Sequence, residues 1–233
     1  MTKSSVTILG IGNVLWADEG FGVRAAEEMH KRYSFEDRVQ IIDGGTQGIY
    51  LVQHVQSADI LLVFDAVDYG LEPGTLKLVE GDEVPKFMGA KKMSLHQTGF
   101  QEVLAMADLL GDYPSHLLLI GVQPEQLEDY GGSLRDSVRA QINPAIDAAI
   151  TWLEKLGVHA TPRSAQVSLP DHEKLNPSQI NLERYEAERP SKAEACRIGD
   201  ERVLRDAHTQ FDPKPMDLEG SRLSVNVDSR VRD

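Results

Sequence analysis

The chain has 233 residues, 41% of them hydrophobic, with a formal net charge of −13. That length allows one large domain with an appendage. The acidity argues against nucleic acid or an anionic membrane surface as partner, since both demand clustered Lys and Arg. A single cysteine, Cys196, supplies neither a disulfide framework nor a thiolate zinc site. The first residues, Met-Thr-Lys-Ser-Ser, lack the apolar core of a signal peptide, and no apolar stretch is long enough to span a bilayer. The expectation is a soluble cytoplasmic protein acting as a monomer.

In chain order, short apolar runs alternate with helical patterns. Strands are predicted at Val6–Ile11, Val39–Ile42, Ile60–Phe64, Thr75–Val79 and Leu117–Val122. Runs such as Ile60-Leu-Leu-Val-Phe64 are apolar throughout, as in a parallel sheet covered on both faces. Helices are predicted at Gly20–Tyr33, Gly48–Gln56 and Gln97–Leu110, and from about Leu134 to Leu156. Pro144 is placed to kink the last of these and Gly157 to stop it. The alternation predicts a three-layer α/β/α fold with a mostly parallel five-stranded sheet.

After residue 163 the composition changes. Between Ser164 and Asp233, Leu, Ile, Val and Phe make up only 14 of 70 residues, too few to offset the chain entropy of an independent core. The expected division is a folded domain over 1–163 and a largely disordered extension over 164–233, with short helices allowed near Leu182–Glu188 and Glu194–Arg205.

The first strand runs into Gly10-Ile-Gly12-Asn13, a turn that resembles a dinucleotide cradle. Such a cradle needs a third glycine, and that place is held by Leu15. Asp18 and Glu19 then sit where a phosphate would be repelled. They suit helix capping or a cation. Asp65 ends the most apolar strand, at the carboxyl edge where open α/β sheets gather ligands. If the first and third strands are neighbours at the point where strand order reverses, Glu19 and Asp65 converge. The competing reading of Asp65 is a turn residue bonding its own backbone.

His96 precedes the third helix, in a loop that should return to the same edge. Ser94-x-x-Gln97 around it also fits a capping box. Two carboxylates and an imidazole suit Ni²⁺ or Zn²⁺ with open positions. Asp43-Gly44-Gly45-Thr46 ends the second strand. Its glycines permit a sharp turn and close approach of a peptide, and Thr46 could cap the helix that follows. Neither His-Glu-x-x-His nor Gly-x-Ser-x-Gly occurs.

Six segments in order resemble the nickel–iron hydrogenase maturation endopeptidases. They are Gly10-Ile-Gly-Asn-x-Leu-x-x-Asp-Glu-Gly-x-Gly-Val-Arg24, Asp43-Gly-Gly-Thr46, Asp65-Ala, Glu72-Pro-Gly-Thr75, Ser94-x-His96-Gln97 and Gly121-Val-x-Pro-Glu125. The resemblance covers about residues 5–160 and leaves the extension without a counterpart. It implies an endopeptidase that trims a C-terminal extension from the hydrogenase large-subunit precursor once nickel is loaded. It further implies that Glu19, Asp65 and His96 bind Ni²⁺ supplied by the substrate. Asp43 would be a second acid in the cleft, assisting proton transfer alongside Asp65, with Gly44, Gly45 and Thr46 positioning the peptide. The alternatives are a nucleotide-binding α/β enzyme and a non-catalytic chaperone of the large subunit.

Overall fold

In the computed structural model, β1 (Val6–Ile11) lies at the middle of the chain's first folding unit, buried at every residue. The structure describes residues 4–88, 95–164, 169–177 and 180–189, without the side chains of 86–88, 95–99 and 171. From β1 the chain passes through a 3-10 turn at Ala17–Gly20 into α1 (Phe21–Arg32), then β2 (Tyr33–Ser34) and β3 (Val39–Gly45). A second 3-10 turn, Gly48–Leu51, leads to α2 (Val52–Gln56), β4 (Ile60–Ala66) and β5 (Leu76–Glu80). Next come α3 (Glu83–Met88), α4 (Leu95–Leu110), β6 (His116–Val122), α5 (Asp136–Arg139), α6 (Ile142–Lys155), β7 (Thr161–Pro162) and α7 (Leu182–Glu188).

Five strands form one sheet in the order β3-β1-β4-β6-β5. All neighbours run parallel except β5, which is antiparallel to β6 and closes one edge. β1 therefore has β3 on one side and β4 on the other, so the chain reverses direction across the sheet between β1 and β4. That is where a crevice opens beyond the strand ends. The five predicted strands are the five observed, and β3 and β4 run on far enough to include Asp43 and Asp65.

Strict alternation assigns each strand residue to a face. Val6, Ile8, Ile60, Leu62 and Phe64 pack on the side of α1 and α6. Leu9, Ile11, Leu61 and Val63 pack on the side of α2 and α4. By the same alternation Asp43 faces α1 with Ile41, while Asp65 faces the α4 side with Val63. The two acids are two strands apart, about 10 Å at the usual strand spacing, and on opposite faces.

The helix predicted from Leu134 to Leu156 is two helices. Pro144 occupies the first turn of α6, where its missing N–H costs nothing, but its ring would clash with a helical Ala140 carbonyl. The break therefore falls at Ala140–Gln141, upstream of the proline. Gly157, at φ +72°, ends α6 as its position suggested.

The compact unit extends through Arg189, beyond the boundary expected at residue 163. Residues 169–177 and 180–189 include α7 and contact α1 and the loop before α5. The earlier expectation rested on apolar content. Apart from Leu169 and Leu175, which reach the core, this segment attaches through polar groups, which hydrophobic periodicity does not register. The stretch from Pro190, including Cys196 and the helix considered near Glu194–Arg205, lies outside the described residues.

Candidate active site at the carboxyl edge of the sheet

The β1 turn is built by close backbone approach. Gly12 has φ +129°, and a Cβ there would stand 1.8 Å from the Glu19 carbonyl oxygen. A Cβ at Gly22, in the first turn of α1, would stand 2.1 Å from the Phe64 carbonyl and 2.3 Å from that of Ile11. Gly22 thus lets α1 press on the ends of both β1 and β4. It provides the tight helix–sheet contact that a dinucleotide fingerprint draws from its third glycine, but seven residues later than Leu15. Strand carbonyls, which are acceptors, crowd the helix start, and this disfavours a phosphate there.

Asp18 is not a helix cap. Its side chain is fully buried, Oδ2 accepts from the backbone N–H of Glu125 (2.9 Å) and Gln126 (2.8 Å), and Oδ1 accepts from that of Arg135 (2.7 Å). Asp18 N–H donates in turn to the Gln126 carbonyl. Trp16 pairs with Tyr130 as a β-bridge, with their rings edge-on at 5.4 Å. These contacts hold Ala17 at φ +41°, a left-handed conformation that costs a non-glycine residue on the order of 1 kcal/mol. The β1 turn and the loop after β6 are therefore one rigid wall, with half-buried Glu19 at its inner end.

Asp65 is fully buried in β4, and Oδ1 accepts from the Ala66 N–H at 2.8 Å. The turn-type bond weighed from sequence is thus present, at a site beside the crevice. Its partner in register on β6 is Gly121. A Cβ on Gly121 would meet the Tyr69 hydroxyl at 2.2 Å, so the glycine makes room for a phenol next to Asp65. Burial, and secondarily the charge of Asp65, push the Tyr69 pKa well above the usual phenol range, so Tyr69 remains an O–H donor at all ordinary pH. Gln123, itself buried, holds this loop. Its Oε1 accepts from Tyr69 N–H (2.7 Å) and Leu71 N–H (3.1 Å), and Nε2 donates to Asp68 Oδ1 (3.0 Å). Neither Tyr69 nor Gln123 was singled out in the sequence. The signal available was their place, three residues beyond β4 and one beyond β6.

His96 falls in the first turn of α4, on the same side of the sheet as Asp65. Its side chain, and Ser94 of the capping box, lie outside the described residues. Among the described residues no three His, Cys, Asp or Glu side chains gather as a ligand set.

Asp43 is bracketed differently. Burial raises its pKa, while the Gly45 N–H, the Arg24 guanidinium and the amide of Asn176 favour its charged form. Gly44 approaches the Gly10 carbonyl, leaving 3.2 Å to a Cβ, and Gly45 turns the chain at φ +45°. Thr46 is exposed and does not cap. The cap position of the helical turn is Gln47, with no side-chain cap bond, and Gln47 Nε2 donates to the Asp43 carbonyl. Thr46 is released because Gly45 has already reversed the chain, which places the helix start one residue later.

The fold is a doubly wound α/β domain with carboxylates gathered near the point of strand reversal. The chain's residues 23–152 match the description of the hydrogenase maturation protease family. It is 63% identical over 206 residues to the hydrogenase expression/formation protein HupM of Azotobacter chroococcum, covering 88% of this chain and 96% of that one. To the hydrogenase 2 maturation protease of Escherichia coli it is 40% identical over 161 residues, 69% of this chain and 97% of that one. A solved structure, the E. coli hydrogenase maturating endopeptidase HybD, superposes with a TM-score of 0.65 at 38% identity, covering 68% of this chain and 98% of that one. The chain belongs to the hydrogenase maturation protease family, and it is a peptidase. A 206-residue match in a 233-residue chain has to span residues 169–189, whereas the E. coli relative is used up by a match of domain length.

Proposed function

We propose that the protein removes the C-terminal extension of a nickel–iron hydrogenase large-subunit precursor, and that its site recognises Ni²⁺ already held by that precursor. The observation that carries this reading is Asp65, a fully buried carboxylate at a strand end beside the point of strand reversal. A carboxylate is withdrawn from water at such cost only where a cation or donors compensate it. Glu19 on the rigid β1 wall and His96 at the head of α4 would complete an oxygen–oxygen–nitrogen donor set, suited to a borderline divalent ion.

Nickel is here part of the substrate. Bound at these residues it would polarise the scissile carbonyl or a water. The protein's own residues do the rest. Glu19 and Asp65 orient the loaded end of the precursor, and the Gly44–Gly45–Thr46 turn gives an extended peptide room to pass. Asp43, which coordinates nothing in this scheme, takes or returns a proton through water. The Tyr69 hydroxyl keeps a neutral donor beside Asp65. The proposed setting is the cytoplasm, and no described helix is long and apolar enough to cross a membrane.

Mass spectrometry of nickel-loaded precursor, before and after incubation, tests the reading. Wild type should shorten the precursor, and Glu19→Gln should leave it full length while remaining folded. Equal trimming of nickel-free precursor by wild type would sink the recognition role of the metal.

A further inference from the structure

Residues 169–177 and 180–189, together called the strap, cross the outer side of α1. His30 Nε2 lies 2.6 Å from the Glu173 carbonyl, and Lys31 pairs with Glu183 at 2.8 Å. Arg24 Nη1 donates to the Ile180 carbonyl at 2.7 Å, and its guanidinium stands 5.6 Å above the Tyr185 ring. The Tyr185 hydroxyl donates to the Gly132 carbonyl at 2.9 Å, and Arg139 pairs with Glu186 at 2.8 Å. The strap so joins α1 to the 129–135 loop, the loop that Asp18 locks onto the β1 turn.

The strap adds little apolar burial: Leu169 is buried and Leu175 packs against the core on the α1 side, and its other contacts are polar. α7 buries no residue. Between strap and α1 lies a cavity of ≈ 660 Å³, walled by groups such as Arg24, Glu27, Lys31, Arg139, Asn176 and Glu183. The most deeply buried side chain of the strap is an amide, Asn176, 4% exposed. It stands beside the Asp43 carboxylate, with Arg24 (3% exposed) and Glu27 of α1 facing the same group. Among the described residues Asn176 Nδ2, Arg24 Nη2 and Asp43 Oδ1 are buried without a well-formed hydrogen bond. Two donors and one acceptor are thus held together, out of bulk water, with capacity to spare. Burying such groups is unfavourable for folding and is expected where function requires them.

We propose that Asn176 is a positioning residue for Asp43, and that the strap is a working part of the site. The strap holds the Asp43 carboxylate and the Arg24 guanidinium in one arrangement and couples them to the β1 wall. This rests on the reading of Asp43 as the proton-transfer group. Relatives whose length includes the strap would share the device, and a relative of domain length would hold its corresponding acid by other means.

The test uses full-length protein with nickel-loaded precursor and compares Asn176→Ala, Asn176→Asp and Asp43→Asn. Asn176→Ala should keep the wild-type thermal midpoint and KM and lower kcat about tenfold, a part of the roughly 10²–10⁴-fold that general acid–base assistance supplies. Loss of a group that favours the charged carboxylate raises the Asp43 pKa, so the acidic limb of kcat should move to higher pH. Asn176→Asp keeps the shape and adds a negative charge, so it should move the limb further. Wild-type kcat and pH profile in both Asn176 variants would overturn the proposal. So would rate losses that only track losses of thermal midpoint. Asp43→Asn separates the two claims. If it trims at the wild-type rate, the role given to Asp43 fails. If it is inactive while both Asn176 variants behave as wild type, only the strap proposal fails.

Discussion

Asp65, near the end of the buried strand β4, and Asp43, near the end of the edge strand β3, lie at the same carboxyl edge of the sheet, yet they are held by different parts of the chain. Asp65 lies between elements close to it in sequence or register: its own next residue, Gly121 across the ladder and Tyr69 in the loop beyond. Asp43 faces the opposite layer and is closed over by Arg24 of α1 and by Asn176, more than a hundred residues further along the chain. One acid belongs to the minimal domain. The other has an environment completed by a segment outside it. The same residue type at the same kind of strand end can therefore be set by local geometry or by a remote strap, depending on which face it points to.

The largest expected effect breaks the Asp65 side. Asp65→Asn should abolish trimming of loaded precursor while circular dichroism shows an unchanged fold, since the amide removes charge at nearly constant shape. Next is the wall that carries Glu19. Asp18→Ala leaves three part-buried N–H groups without their acceptor and should cost about 2–4 kcal/mol, read as a lower denaturant midpoint. Asp18→Asn, which can still accept at one oxygen, should cost less.

The Asp43 side should respond in the opposite sense. Its carboxyl pKa is raised by burial, as is that of Glu27. A carboxyl raised on folding adds stability that is complete below its unfolded pKa and is lost as pH rises through the folded one. At neutral pH the charged form of Asp43 therefore weighs against the fold. Asp43→Asn should match or exceed wild-type stability by up to about 1 kcal/mol near pH 7, while losing activity. A loss of stability there would show that the carboxylate is held by its neighbours better than its burial implies.

The smallest effect is at the outer face of the strap. The Lys31–Glu183 pair lies on side chains 56% and 81% exposed, and Glu183→Gln should change stability by less than about 0.5 kcal/mol. Its pairing lowers the Glu183 pKa, so even that contribution is present above the unfolded value and fades as pH falls. A larger loss, or a change in trimming rate, would mean that the strap is anchored by its rim rather than by Asn176.

Much of this was legible in the sequence because it depends on local pattern. Ile60-Leu-Leu-Val-Phe64 is short, β-branched in part and apolar throughout, which fits a strand covered on both faces, and its position implies that Asp65 stands at the carboxyl edge. The alternation of strands and helices implies the layered architecture, and the ordered motifs from Gly10 to Glu125 pointed to the family. Asp18 was misread because capping and loop bracing call for the same residue type, and nothing local distinguishes a helix N–H from one at position 125, 126 or 135. Pro144 was placed in the right helix, but its effect falls one turn upstream, where the ring meets a carbonyl.

The sequence alone determined the strands, the layering, the acids at the strand ends and the departure of the glycine turn from the dinucleotide fingerprint, all consequences of periodicity and residue chemistry within a few positions. Only the tertiary structure decided that Asp43 and Asp65 face opposite layers, that Gly22 rather than residue 15 carries the tight helix contact, and that residues 169–177 and 180–189 belong to the compact unit. Those depend on strand order and on polar contacts between distant segments. A buried amide at Asn176 leaves no periodic trace, because its partner is supplied by the fold.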